Sequence, residues 1–317
     1  MKIATVSLNP AIDQTVRADN FRPNTVNRAQ AMQFDAGGKG VNVASFLADA
    51  GHEVAVTGFL GQDNAEIFEQ FFARKRIDDQ FVRIPGRTRI GVKIVDEVNQ
   101  QTTDINMPGL TPPADGMDRL LKTIEQLSAS CDWFVLSGTL PPGVPATIYA
   151  TIITQLKGHG KQVALDTSHD ALREGVLAGP TILKPNRDEL QELVGQPLTS
   201  EADIEQAARQ LLDSGLQLVV ISMGKRGALF VDQETSLIAL PPAVSVKSTV
   251  GAGDAMVAGL IAGRAQGLSL SDCARLATAF SLGRITQVGS QLPSPETLDA
   301  YFHQVSIHTS TRVTRSA

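Results

Sequence analysis

From its first residues to about residue 221 the chain alternates apolar, β-rich runs with amphipathic helical ones, and this restricts its fold more than any other feature. The β-rich runs are Ile3–Leu8, Val54–Thr57, Trp133–Leu136, Gln162–Leu165, Thr181–Leu183 and Leu218–Ile221. Helical spacing fills the intervals at Val41–Ala50, Ala65–Phe72, Met117–Leu127, Pro145–Leu156, Asp188–Val194 and Glu201–Leu212. Strands that are apolar along their whole length are buried on both faces, and the helices between them cross over to parallel neighbours. The expected fold class is therefore α/β, a mostly parallel sheet flanked by helices on both faces. The last third changes character. Ala228–Val231, Leu237–Ala239 and Val244–Val246 predict a short antiparallel meander, followed by two long helices over Ala252–Ala265 and Asp272–Thr286.

Four segments depart from this pattern. Ile12–Ala18, Asn27–Phe34, Arg89–Asp96 and Thr102–Met107 alternate apolar with polar residues, as strands with one wet face do. They predict a small β-sheet lid, inserted into the core from about 12–34 and 87–107, with the last two segments as a hairpin. No internal repeat or Pro/Gly linker divides the chain, so residues 1–310 are expected to form one domain. A polar tail begins near His308 and is expected to be frayed over 311–317.

The charge balance narrows the partners. A net charge of −5 leaves no general footprint for nucleic acid. Cys131 and Cys273 fit no metal spacing and read as reduced residues of a cytoplasmic protein. The N-terminus enters a strand-like run without a signal-peptide core, and no apolar stretch reaches membrane-spanning length. A membrane partner is not expected.

The chemistry concentrates in Ser248–Ala255, which reads Ser-Thr-Val-Gly-Ala-Gly-Asp-Ala and runs into the apolar stretch Met256–Ile261. Gly251, Ala252 and Gly253 leave the backbone open to a ligand. Their N–H groups would open the following helix and point at an anion. Asp254 places a carboxylate beside that anion site, where its useful task is to take a proton from an attacking hydroxyl. A plain helix start, with Asp favoured by the dipole, is the competing explanation. A Walker A lysine motif is absent, and Met256 occupies the third glycine position of a dinucleotide fingerprint.

Other clusters point the same way, each with a structural alternative. Gly37-Gly-Lys-Gly-Val-Asn-Val-Ala44 again runs from glycines into a helix; Lys39 supplies a cation and Asn42 a hydroxyl partner. Asp13 follows the first strand, where open α/β sheets bind ligands; its carboxylate can accept two hydroxyl hydrogen bonds. In Arg87–Lys93, residues Arg87, Arg89, Gly91 and Lys93 would share one face of a strand, suited to an anion or merely protecting a sheet edge. Asn186 and Glu189 form a capping-box pair, and the same Glu189 could order water on Mg²⁺. Ile221–Ala228 joins two strands by a glycine-rich turn that could border a nucleotide or simply close a hairpin.

Taken together, these motifs resemble the ribokinase-like carbohydrate kinases of the phosphofructokinase-B type, in that family's motif order from about residue 1 to 290. The glycine–lysine block resembles the family's N-terminal signature. Ser248–Ala255 resembles the C-terminal one, with Asp254 where the family has its catalytic base. Ser248 departs from the aspartate common in ribokinases and adenosine kinases, which favours the phosphosugar branch. Asn9–Asp13, Gly58–Gly61, Gly86–Lys93, Thr103–Asn106 and Ser137–Gly143 look most like the kinases that act on the C6 hydroxyl of fructose 1-phosphate. Kinases of tagatose 6-phosphate and fructose 6-phosphate are close relatives. A ribose or nucleoside kinase is a further alternative, as is a catalytically silent sugar-phosphate-binding regulator.

The resemblance implies ATP and Mg²⁺, a phosphorylated ketohexose as substrate, and a homodimer through the lid. It implies that Asp254 is the base and that Gly251, Ala252 and Gly253 stabilise the transferred group. Asp13, Gly38 and Asn42 would hold sugar hydroxyls, with Arg28, Lys39, Arg89 and Ser137 around the substrate phosphate. Lys184, Asn186, Ser222, Gly224, Gly227 and Ser248 would border ATP, and Glu189 the metal's water shell.

Overall fold

A computed structural model describes residues 1–287 and 291–309. The strands are β1 (Lys2–Ser7), β2 (Ala11–Arg17), β3 (Ala31–Gly37), β4 (Glu53–Gly61), β5 (Asp78–Asp79), β6 (Val82–Ile84), β7 (Ile90–Asp96) and β8 (Gln101–Asn106). They continue with β9 (Cys131–Ser137), β10 (Gln162–Asp166), β11 (Ile182–Leu183), β12 (Leu218–Ser222), β13 (Ala228–Asp232), β14 (Ser236–Leu240) and β15 (Ser306–Thr309). The helices are α1 (Lys39–Asp49), α2 (Glu66–Lys75), α3 (Gly116–Ser128), α4 (Ile148–Gly158), α5 (His169–Leu177), α6 (Arg187–Val194), α7 (Glu201–Leu212), α8 (Ala252–Ala265), α9 (Leu270–Ile285) and α10 (Pro295–Gln304).

The large sheet has the order β15-β14-β13-β12-β11-β10-β9-β1-β4-β5, with β6 also on β4. Every pairing from β12 to β5 is parallel, and the β12–β13, β13–β14 and β14–β15 pairings are antiparallel. The central strands feed two cores, one on each face. Ile3, Val56 and Val135 pack with Phe46, Phe68, Leu260 and Phe280 of α1, α2, α8 and α9. Ala4, Ala55 and Phe134 pack with Leu120, Ile152, Leu172, Leu190 and Ile204 of α3 to α7. Period-two alternation along an apolar strand thus covers both sides of the sheet, and burial at about 25 cal/mol per Å² drives its assembly. On the first face α8 and α9 pack closely: a Cβ on Gly259 would lie 2.7 Å from the Leu276 carbonyl oxygen.

The lid is a second sheet of order β3-β2-β7-β8. Two separate stretches of chain meet in it through the parallel β2–β7 pairing. Its register puts Gln14, Val16, Met32, Phe34, Val92, Ile94, Thr103 and Ile105 on one face. Asp13, Thr15, Gly91 and Lys93 lie on the other.

Several expectations need correction. Val244–Val246 forms no strand; this segment follows Pro241 and Pro242, and beyond it the Lys247 and Ser248 N–H groups bond to Ile285 O. The outer edge of the sheet is instead β15, whose His308 pairs with Ile238, so His308 is not part of a frayed tail. The frayed segment 311–317 lies outside the described residues. Arg87 is exposed ahead of β7 and does not share a strand face with Lys93. Helix α4 begins at Ile148, three residues after Pro145. Helices α5 and α10 have no counterpart in the sequence reading.

Candidate active site

The strands β9 to β12 end along one rim of the sheet, where open parallel sheets place their ligands. Ser137 and Asp166 are the last residues of β9 and β10, Lys184 directly follows β11, and Ser222 ends β12. The Asp166 side chain is 2% exposed. Its Oδ1 lies 3.2 Å from Lys39 Nζ and 3.3 Å from Lys184 Nζ. Ser137 Oγ donates to its other oxygen at 3.5 Å. Burial opposes ionisation of Asp166, but Lys184 and Lys39 outweigh it and hold the carboxyl below its ordinary range. The Asp166 charge in turn raises the Lys39 ammonium above its usual value. Sequence reasoning missed Asp166, although a carboxylate ending the apolar run Val163–Leu165 on this rim was a usable signal.

Above this cluster stands the N-terminus of α8. Gly251 is its N-cap at φ 78°, a conformation open to glycine, and no side chain caps the helix. A Cβ on Gly253 would come 3.6 Å from Lys184 Nζ. Ala252 N donates to Thr249 O at 3.3 Å; the other N–H groups at this helix start and the buried ammonium are suited to an anion such as a phosphoryl group. Asp254 sits in the first turn, buried, and accepts a hydrogen bond from Asn42 Nδ2 at 2.8 Å. Burial pushes its carboxyl above the ordinary range, against the opposing charge of Lys39. A base poised in this way takes a proton more readily than a surface aspartate. Asn42 Oδ1 is buried without a partner, which leaves it an acceptor for a hydroxyl. Arg284, near the end of α9, is also buried beside Gly251; sequence reasoning missed it.

The glycines before α1 are set by contact. A Cβ would meet Asp13 Oδ2 at 2.5 Å from Gly37, Pro10 Cα at 2.9 Å from Gly38 and Ser7 Cβ at 2.8 Å from Gly40. Gly38 caps α1 at φ 111° and brings Lys39 to the rim. Asp13 lies on the lid and is paired with Lys93 at 2.6 Å. Arg89 donates to the carbonyls of Asn9 at 3.1 Å and Met107 at 3.3 Å, tying the lid to the rim.

The remaining sequence candidates are more dispersed. Arg28 is exposed in the β2–β3 connection. The expected capping box of Asn186 and Glu189 is present, with Glu189 Oε2 accepting from Asn186 N at 2.8 Å. Asn186 bridges to Ser222. Gly224 and Gly227 flank the turn before β13, and a Cβ on Gly227 would meet Ala239 O at 1.9 Å. Ser248 Oγ accepts from Val250 N in the loop leading to α8. Lys39, Asn42, Ser137, Lys184 and Asp254 are thus brought together, with Asp13 and Arg89 over them on the lid side.

Among the described residues no helix is long and apolar enough to cross a membrane. Comparison with known proteins agrees with the geometry. Residues 2–297 match the pfkB family of carbohydrate kinases. A 1-phosphofructokinase of Rhodobacter capsulatus is 48% identical over 310 residues, 98% of each chain. The solved structure of phosphofructokinase-2 from Escherichia coli in complex with fructose-6-phosphate aligns with a TM-score of 0.89 at 28% identity, over 95% of this chain and 98% of that one. Ribokinase from Thermotoga maritima, 21% identical, shares the fold with a TM-score of 0.77 over 95% and 99% of the two chains. With a family match over almost its whole length and this arrangement of base, cations and helix N-terminus, the chain belongs to the pfkB family of carbohydrate kinases.

Proposed function

We propose that this kinase phosphorylates fructose 1-phosphate at its C6 hydroxyl, with ATP as donor, giving fructose 1,6-bisphosphate. One observation carries the reading: Asp254 is buried, held by Asn42, and placed in the first turn of the helix whose N-terminus faces Lys184. Asp254 accepts the proton of the attacking hydroxyl. The N–H groups around Gly251, Ala252 and Gly253, with Lys184, stabilise charge on the moving phosphoryl group. Asp13, Gly38 and Asn42 hold the ring hydroxyls, and the free Asn42 Oδ1 is suited to one of them. Lys39, Arg89, Arg28 and Ser137 serve the substrate phosphate. Asn186, Ser222, Gly224, Gly227 and Ser248 border the nucleotide.

The donor set fits Mg²⁺ held mainly by phosphate and water. No group of three or more metal-ligating side chains is arranged for a metal among the described residues, and Mg²⁺ often keeps most of its waters. Glu189, beside the nucleotide rim, would order that shell; when bound, the ion neutralises phosphate charge. The lid closes over the sugar and excludes water from the donor.

The specificity test is direct. With ATP and Mg²⁺, fructose 1-phosphate is expected to give the highest kcat/KM among fructose 1-phosphate, fructose 6-phosphate, tagatose 6-phosphate, ribose and adenosine. Preference for fructose 6-phosphate or tagatose 6-phosphate would assign the protein to that sister activity. An unphosphorylated acceptor as best substrate would remove the phosphate role given to Lys39 and Arg89.

The outward lid face carries Met32, Phe34 and Ile105, exposed by 58%, 45% and 46%. Their alignment across β3 and β8, with Val16, Val92 and Ile94 between, makes one apolar surface, of the kind that marks an interface. It suits a second copy of the same lid, in a homodimer. Phe34→Glu with Ile105→Asp should turn a dimer into a monomer in sedimentation runs; a wild-type monomer at micromolar concentration would sink the idea.

A further inference from the structure

The buried charged side chains of the described residues are Asp96, Asp166, Lys184, Asp254 and Arg284. Asp96 accepts backbone N–H groups of Phe21 and Asn99 and closes a lid turn. The next three belong to the phosphoryl-transfer centre. Arg284 has no task in that account, yet it is only 7% exposed. A cation near a helix C-terminus is favoured by the dipole, but that interaction is available at the surface and does not call for burial. Removing a guanidinium from water is costly unless its charge meets a counter-charge.

Its surroundings give the direction. Arg284 Nη1 donates to the Gln287 carbonyl at 3.0 Å. Among the described residues no carboxylate forms an ion pair with it; the negative charges that act on it are Asp254 and Asp13, one on the core and one on the lid. A Cβ on Gly251 would meet Arg284 Nε at 3.2 Å, so the guanidinium lies directly against the residue that opens α8. The backbone beside it is tied down as well: Lys247 N and Ser248 N donate to Ile285 O at 2.8 and 3.3 Å. The close α8–α9 packing at Gly259 fixes the distance between the two helices.

We propose that Arg284 is a positioning residue for phosphoryl transfer: packed behind Gly251, it fixes the entry to α8 and adds a permanent positive charge to the anion cradle formed by α8 and Lys184. This rests on the reading that the α8 N-terminus receives the transferred group.

The test compares Arg284→Gln, which keeps a donor for Gln287 but loses the charge, with Arg284→Lys, which keeps the charge. Arg284→Gln is expected to lower kcat by roughly 10- to 100-fold, below the loss of a direct oxyanion donor. The KM for sugar phosphate should change by less than about threefold, because the lost interaction acts at the transferred group. Arg284→Lys should recover most of the rate. The acid limb of kcat gives a second readout. Asp254 faces Lys39 and Asn42 on α1, Asp166 ending β10, Lys184 after β11 and Arg284 on α9. Losing one of these cations disfavours its ionised form, so the limb moves to higher pH in Arg284→Gln.

A purely structural role would lower Tm and kcat alike in both variants and leave the limb in place. Either that result or a near-wild-type kcat in Arg284→Gln overturns the proposal. Calorimetry with adenylyl imidodiphosphate and with ADP separates this inference from the substrate reading. Arg284→Gln should weaken the three-phosphate analogue by roughly fivefold more than ADP, because only the former places a group at the cradle; equal weakening counts against the role. If Arg284→Gln shows this selective weakening but the wild-type protein phosphorylates no phosphosugar, the substrate reading falls and the role of Arg284 stands.

Discussion

Asp254→Asn is expected to leave a folded protein that binds both substrates and turns over about 10²–10⁴ times more slowly, the usual loss when a general base is removed. Asparagine fills the same space and can still meet Asn42 across their 2.8 Å contact, but it cannot take a proton. The wild-type pH profile should carry the same signature. Burial raises the Asp254 carboxyl, and only the ionised form is a base, so activity should fall with decreasing pH at values above the ordinary carboxylate range. Near-normal turnover by a well-folded Asp254→Asn enzyme would assign the proton to another acceptor.

Asp166→Asn has the largest expected effect outside the base, because it removes the counter-charge of two lysines at once. Lys184 is 6% exposed and would remain buried without its partner. Lys39, 39% exposed, would be partly rescued by water. The loss should be about 3 kcal/mol, the lower end for breaking a buried ion pair. The pH dependence has a definite sign. The folded-state carboxyl is held low, so its contribution is present above the unfolded-state value and is lost as pH falls through the folded one. Urea unfolding should therefore show a large difference between wild type and variant at pH 7 that shrinks in acid. In kinetics, KM should rise for both sugar phosphate and ATP if, as proposed, Lys39 serves the sugar phosphate and Lys184 the transferred phosphoryl group, since both lysines lean on the same Asp166 oxygen. A defect restricted to one substrate would show that the two lysines are held independently.

The core of the fold was legible because its strands are continuous apolar runs and its helices are either amphipathic, as α7 is, or apolar all round, as α8 is; β1, β9, α7 and α8 lie within a residue or two of their sequence spans, β9 having grown outward at both ends. The errors occur where long-range contacts decide. Val244–Val246 has the alternation of a strand, but it pairs with no strand among the described residues. The polar segment Ser306–Thr309 has weak pattern of its own and becomes a strand because β14 offers an open edge. Helix α5 is short, with only Ala171, Leu172, Gly175 and Val176 on its buried side. The same division holds in the site. Glycine clusters and Asp254 stand out because their chemistry is local in sequence. Asp166 and Arg284 are single residues whose meaning comes from what folds against them, a pair of ammonium groups in one case and the back of Gly251 in the other.

The tight approach around the start of α1 has a consequence for how such chains diverge. Gly37 is pressed by Asp13 of the lid, Gly38 by Pro10, and Gly40 by Ser7 and the Val6 backbone. These neighbours all belong to the single stretch Val6–Asp13, and each occupies the volume that a side chain would need. No single replacement can relieve all three, so drift is barred there even for a variant whose ligand chemistry would tolerate it. At these positions the hallmark sequence of the block is a record of excluded volume, and the proposed chemistry falls to Lys39 and Asn42, the side chains that reach Asp166 and Asp254.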